Sequence, residues 1–263
     1  RLWKGYTKQD PPPSRNKPAP LTIVDRVYTH ATTIFDLAVA DMAYLGFFFL
    51  NRPGEHTSTT HRGALSAPFR LCDVILFHGS RQALGTDAPM ESLGTSWSAT
   101  LVYTNQKNTV RGQGVTHGIS GHPIACPVRT IERRVTHLRR NNAPGTTPLY
   151  ASYTQSGTVR NVKSSDVTAA MRTAATSLFP VLGINPMSIS CRSLRPGGAT
   201  AMLCANINLD ITRMVRRWKS DEMLKYLHVQ AAPAMQQYAK NMVDNGHFTY
   251  SPIADTTQPA TFL

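Results

Sequence analysis

The chain has 263 residues, 41% hydrophobic and 16% charged, which excludes a disordered tail and leaves room for one large domain or two small ones. Its 28 Lys+Arg against 15 Asp+Glu give a formal net charge of +13, a balance that favours a polyanionic partner, nucleic acid ahead of an anionic membrane surface. Cys72, Cys126, Cys191 and Cys204 form no close pair, which argues against a zinc cage or a disulfide framework and fits a reducing compartment.

Residues 1–20 hold Pro11, Pro12, Pro13, Pro18 and Pro20 among basic residues and read as an extended strap or linker. No signal peptide is visible, and a chain opening on Arg1 is expected to be part of something longer. From Leu21 to Leu50 the apolar residues fall at helical spacing, predicting two helices: Leu21, Val24, Val27 and Tyr28, then Ile34, Leu37, Ala38, Met42, Leu45 and Phe49. The apolar run Tyr44 to Leu50 is too short to cross a bilayer. Pro53-Gly54 is expected to stop the second helix, leaving Arg52 where a buried helix empties into a loop.

Strand texture follows at Phe69–Phe77, Trp97–Thr104 and Gly112–His117, with Gly79 to Gly94 expected as a loop. Asn105-Gln106-Lys107-Asn108 is polar turn chemistry that makes a hairpin with Lys107 near its tip. Cys126-Pro127 opens a helix with Ile131, Val135 and Leu138 on one face. Arg129, Arg133, Arg134, Arg139 and Arg140 lie elsewhere on it and are expected to be solvated. Asn141 to Pro148 reads as a loop, and Val167 to Leu178 as a helix ended by Pro180. Ser188 or Ser190 can cap the helix carrying Arg192 and Arg195, and Gly197-Gly198 permits close backbone approach. Ile211 to Arg217 continues helical, Ser220 opens a helix carrying Tyr226, and Pro233 to Asp244 forms the last helix before Gly246. Residues 251–263 read as a loose tail. The predicted class is α+β, mainly helical, with a small antiparallel sheet.

Arg192 and Arg195, at i and i+3, share one helix face, and two guanidinium forks side by side suit the oxygens of one phosphate. Moving a phosphodiester without a metal needs a nucleophile, cations for the phosphorane, an acid for the leaving oxygen and walls that hold them. Arg52, Lys107, Arg192, Arg195, Trp218 and Tyr226 supply that set if the fold brings them together, with no cofactor. Each also has a plainer use. Arg52 can pair with Glu55 and cap a helix, Lys107 can be a solvated turn lysine, and Trp218 can be core. Tyr238 and Tyr250 compete with Tyr226, but only Tyr226 follows Arg217-Trp218-Lys219-Ser220-Asp221. His56, His61 and His117 lack metal-ligand spacing and read as surface or DNA-facing.

Four stretches carry a family resemblance: Phe48–Glu55, Gln106–Gly112, Ser193-Leu194-Arg195-Pro196-Gly197-Gly198-Ala199-Thr200, and Arg216 through Tyr226. Over residues 21–250 the sequence resembles the catalytic domain of the tyrosine recombinases, the phage-integrase-like enzymes, and most of all their Crypton and DIRS-like members from eukaryotic mobile elements. The resemblance implies that Tyr226 attacks the scissile phosphate to form a 3′-phosphotyrosyl link. Arg52 and Arg195 would hold its oxygens, Lys107 would protonate the departing 5′-oxygen, and Trp218 would offer its indole N–H. It further implies double-stranded DNA as partner and a homotetramer on paired sites, joined by a C-terminal segment (Pro233 to Asp244, or the tail). It places the protein in the nucleus if eukaryotic, otherwise in the cytoplasm at the nucleoid, with no membrane association.

The sequence departs from the family pattern at Arg192, where the family has histidine. An arginine is permanently charged and cannot take the nucleophile's proton, although it can stabilise the phosphorane. The family's N-terminal core-binding domain is also not seen, and residues 1–20 would be its exit linker. Three rival readings follow: a catalytically inactive DNA-binding relic, a type IB topoisomerase sharing the Arg, Lys, Arg and Tyr set, and a basic RNA-binding protein of unrelated fold.

Overall fold

The computed structural model describes residues 16–59, 66–78, 82–84, 88–104 and 112–205. Helix α1, Leu21–Thr29, starts directly after Pro20 and buries Ile23, Val24 and Val27. Thr33 and Asp36 then cap each other. The Thr33 hydroxyl accepts the Asp36 N–H and the Asp36 carboxylate accepts the Thr33 N–H, both at 3.1 Å, which starts α2, Ile34–Phe48. Every residue from Ala38 to Phe47 is buried, so α2 is an axle enclosed by the rest of the chain rather than an amphipathic surface helix. Its first turn is the exception. Ile34 and Leu37, expected in the core, are 44% and 38% exposed.

The second helix does not run to Pro53. It ends at Phe48, Leu50 takes a left-handed φ of 52°, and the Asn51 N–H closes back on the Gly46 carbonyl at 3.2 Å, a closure usually built around glycine. Pro53 then opens a new one-turn helix, α3, Pro53–His56, where a missing N–H costs nothing.

The sheet has strand order β2-β1-β3-β4, formed by β1 (Val74–His78), β2 (Gln82–Leu84), β3 (Ser98–Tyr103) and β4 (Gln113–Gly118). All neighbours are antiparallel, with Val74 opposite Leu101 and Leu101 opposite Val115. The expected strand at 69–77 is shorter, because Leu71–Asp73 forms a 3-10 turn in which Asp73 takes both the backbone N–H and the guanidinium of Arg70. The expected loop at 79–94 contains β2 and a 3-10 turn at Met90–Thr95.

Helix α4, Pro127–Arg140, buries Val128, Ile131, Val135 and Leu138, and packs on α2 and the sheet. Its arginines are not one solvated face. Arg134 is 2% exposed and donates to the carbonyls of Leu149 and Ala151. Arg133 donates to the buried carboxylate of Asp41 at 2.9 and 2.6 Å, locking α4 to α2. Beyond it, β5 (Ala151–Tyr153) and β6 (Val159–Asn161) pair as a hairpin. Helix α5, Ser164–Leu182, carries Pro180 inside its last turn and stops instead at Gly183, φ 60°, where a left-handed residue is needed. Two 3-10 turns, Pro186–Ser188 and Cys191–Ser193, lead into α6, Leu194–Cys204. The architecture is α+β, mainly helical, with a small antiparallel sheet. No described helix is long and apolar enough to cross a membrane.

Candidate active site

Three pieces of chain meet at the C-terminal end of α2. The first is the turn that carries Arg52. Asn51, fully buried, donates its amide to the Leu45 carbonyl at 3.3 Å and accepts the Tyr103 hydroxyl at 2.8 Å. Tyr103 is the last residue of β3, so the base of the β3–β4 hairpin is tied to the residue before Arg52. Phe49 and Phe69 pack edge-on against His117 and Tyr103, each pair at 4.6 Å between centroids. The left-handed Leu50 is an uncommon conformation for a bulky residue, and such outliers concentrate where surrounding structure holds a functional turn in place.

Arg52 does pair with Glu55, as its plainer reading expects. The carboxylate, with 1% of its side chain exposed, lies 3.2 Å from an Arg52 Nη, and it also accepts the Arg52 backbone N–H at 2.8 Å. The Arg52 side chain keeps 26% of its surface exposed while the buried Glu55 carboxylate braces it, an arrangement in which a guanidinium can still take an anion from solvent. The ion pair orients the cation and leaves it usable.

The second piece is the turn bearing Arg192 and Arg195. Ser190 caps it, accepting the Arg192 N–H at 3.2 Å while its own N–H goes to the Ser193 hydroxyl at 3.1 Å. Arg192 is exposed on this 3-10 turn and Arg195, in the first turn of α6, is half-buried. The glycines that follow decide where α6 lies. A Cβ on Gly198 would strike the Phe47 carbonyl, and one on Gly197 the Ala19 carbonyl, so the backbones touch and α6 rests on the last turn of α2. The third piece, the extended segment before α1, crosses the same turn. Lys17 N–H donates to Ser188 O and Ala19 N–H to Ser193 O, each at 3.0 Å.

Beneath the junction lies His56, 2% exposed. Its Nδ1 is 2.9 Å from the Arg52 carbonyl and its Nε2 is 3.5 Å from Cys191 Sγ. Burial pushes this histidine down to about 4 and the Cys191 thiol up to about 12, so both are neutral. The expectation that His56 faces the surface or DNA is thus corrected: it is core, because the α3 turn points it inward under Gly46. His117 is half-buried against Phe49, and His61 lies outside the described residues.

Among the predicted site residues, Arg52, Arg192 and Arg195 thus come from segments that pack directly on one another. Lys107, Trp218 and Tyr226 lie outside the described residues, as do the expected helices beyond Ala205 and the tail. The described strands do present the two ends of the Lys107 segment side by side, with Tyr103 opposite Gln113. Sequence reasoning missed Asn51, Tyr103, His56 and Cys191 as parts of this junction. The polar pair Asn51-Arg52 directly after an apolar run was the one available sign. Among the described residues, no group of three or more His, Cys, Asp and Glu side chains is gathered as a metal site requires.

The chain is similar in structure to the crystal structure of XerA recombinase, with a TM-score of 0.49 and 10% identity over 92% of this chain and 67% of that one. It is also similar to the Tn1549 transposon integrase in complex with transposon right end DNA, with a TM-score of 0.48 and 10% identity over 90% and 68%. The same integrase in complex with a circular intermediate DNA gives a TM-score of 0.44 and 11% identity over 88% and 67%. Likeness at this level carries no argument about chemistry. No family model matches the chain, and no curated protein matches it in sequence.

Proposed function

We propose that this chain cuts and rejoins DNA strands as the catalytic domain of a tyrosine recombinase. The observation that carries the reading is the contact of Gly198 with the Phe47 carbonyl. It sets the Arg192–Arg195 turn against the turn that ends in Arg52, the two arginine-bearing stretches that the sequence resemblance singles out. In the proposed reaction the Tyr226 hydroxyl oxygen attacks the scissile phosphorus and gives its proton to solvent water. The bond from phosphorus to the 5′-oxygen breaks, and the Lys107 ammonium gives that oxygen a proton. The 3′-phosphotyrosyl link keeps the bond energy, so the freed 5′-hydroxyl of a partner strand can reverse the attack without ATP. Arg52 and Arg195 neutralise the phosphorane, Arg192 adds charge, and Trp218 donates its indole N–H. No cofactor enters the scheme.

Residues 21–250 would form the catalytic domain, with 1–20 as the strap entering it and 251–263 as a tail. Double-stranded DNA is the proposed substrate, bound by a homotetramer on paired sites. Affinity to the Crypton and DIRS-like mobile elements, and nuclear or nucleoid placement, rest on sequence resemblance alone. The test is covalent trapping on nicked double-stranded DNA: a protein–DNA band from the chain, lost on Arg52→Ala or Arg195→Ala, is the expected result, and absence of a band from the unaltered chain contradicts the proposal.

A second reading is favoured by Arg192. It stands exposed where the family has a proton-handling histidine, and suits a DNA-binding relic that no longer cleaves. Salt-sensitive DNA binding without adduct at any pH would select it.

A further inference from the structure

We infer that His56 and Cys191 form a buried strut that fixes Arg52 in register with Arg192 and Arg195, and that both act as positioning residues for phosphate binding. The inference rests on the proposed use of those arginines as a phosphate site.

The geometry assigns each proton. The Arg52 carbonyl can only accept, so the ring nitrogen 2.9 Å from it, Nδ1, carries the hydrogen. A neutral ring then has a bare Nε2, and the Cys191 thiol, 3.5 Å away and 2% exposed, donates its S–H there. One imidazole therefore links the backbone of Arg52 to the residue preceding Arg192. Burial holds His56 neutral and Cys191 protonated, which keeps both bonds in place across the physiological range.

Three further contacts show that the strut sits in a fitted slot. A Cβ on Gly46 would come within 2.8 Å of both His56 Nε2 and Leu194 Cδ1, so the glycine of α2 leaves room for this pair. The Cys191 N–H donates to the Thr168 hydroxyl of α5 at 3.0 Å, fixing the thiol from the other side. Arg172, also on α5, donates to the Ile189 carbonyl at 3.0 Å. The arginine turn is thus gripped by α5, by the segment before α1 and, through His56, by the Arg52 turn. The last grip ties the backbone of Arg52 to the residue preceding Arg192, and a displacement of about 1 Å in such a pair can cost on the order of a hundredfold in rate.

The test compares Cys191→Ala, which leaves Nε2 without a donor, with Cys191→Ser, which keeps an O–H there, and with His56→Asn, which keeps the bond to Arg52 but withdraws from Cys191. Inorganic phosphate is titrated into the full 263-residue chain, following the arginine Nε–Hε resonances of Arg52 and Arg195, with melting recorded for each variant. Expected is one phosphate Kd reported by both arginines in the unaltered chain. That Kd should weaken about fivefold or more in Cys191→Ala and His56→Asn and recover in Cys191→Ser, the scale set by losing pre-organisation of a two-point contact. Equal phosphate affinity in Cys191→Ala and the unaltered chain overturns the inference. So does a loss that Cys191→Ser fails to restore, or phosphate moving one arginine and not the other. Because the readout needs no Tyr226, coupled phosphate binding without any DNA adduct would sink the proposed cleavage and leave the strut standing. An adduct with uncoupled arginines would do the reverse.

Discussion

Gly198 lies so close to the Phe47 carbonyl that no side chain fits between them. The contact is made by backbone on both sides, and neither can retreat without shifting α6 off α2. Gly198→Ala should therefore destabilise the chain by about 3 kcal/mol or more, the upper range for overpacking a tight contact. Gly94→Ala is the control: nothing lies within 4 Å of that Cβ position, and the change should stay within about 0.5 kcal/mol. Urea unfolding of the two variants gives the comparison.

The arginines of α4 divide sharply. Removing Arg134 strands the Leu149 and Ala151 carbonyls in a site that is 2% exposed. Arg134→Met should lower stability by about 3 kcal/mol, since each buried acceptor left unpaired costs roughly 1–3 kcal/mol. Arg140, exposed at the end of the helix, should tolerate the same change with little loss. Equal effects in denaturant would show that burial does not separate them.

Acid should loosen the fold early. His56 is held down to about 4 from an ordinary 6.5 by burial, and His137, whose Nε2 accepts the Tyr153 N–H at 2.9 Å, is likewise pushed down to about 4. Between those pH values the unfolded chain binds protons that the folded one refuses. The stability is thus complete above about pH 6.5 and drains away as pH falls toward 4. At pH 5 the fully buried His56 alone should account for about 2 kcal/mol. Urea midpoints at pH 7.5 and pH 5 measure the loss, and in His56→Asn the difference should shrink. A midpoint that does not move between these pH values would contradict the burial of these rings.

Arg192→His probes the departure from the family pattern. If proton handling limits the reaction, the histidine should raise the rate of DNA–protein adduct formation by about tenfold or more and make it climb with pH through the imidazole range, as a general base does. Single-turnover rates from pH 5.5 to 8 report this. A slower variant would mean that Arg192 serves through its charge.

Much of the frame was legible in the sequence because it follows from periodicity. The apolar spacing of 21–50 and of 127–138, and the alternation around Leu101, foretold α1, α2, α4 and β3. What escaped has identifiable causes. The β5–β6 hairpin turns through Thr154, Ser156 and Thr158, whose hydroxyls bond one another, and its strands of three residues are too short for alternation to register. Pro180 reads as a stop from the sequence, but in the last turn of α5 it forfeits little. His56 and Arg134 looked solvated because residue type alone favours the surface. Partners distant in the chain, Cys191 for His56 and the Leu149 carbonyl for Arg134, help make their burial tolerable. At the site, the residues with distinctive chemistry stand out in the sequence, as does Glu55, three residues from Arg52, while Asn51, Tyr103 and Cys191 are ordinary residue types whose roles come from contacts distant in the chain.

Peptide mapping of the adduct trapped on a nicked DNA duplex decides whether Tyr226 is the nucleophile. Expected are a 3′-phosphate ester on the oxygen of Tyr226 and no adduct from Tyr226→Phe. A nucleotide found on any other side chain, or an undiminished band from Tyr226→Phe, would contradict that assignment.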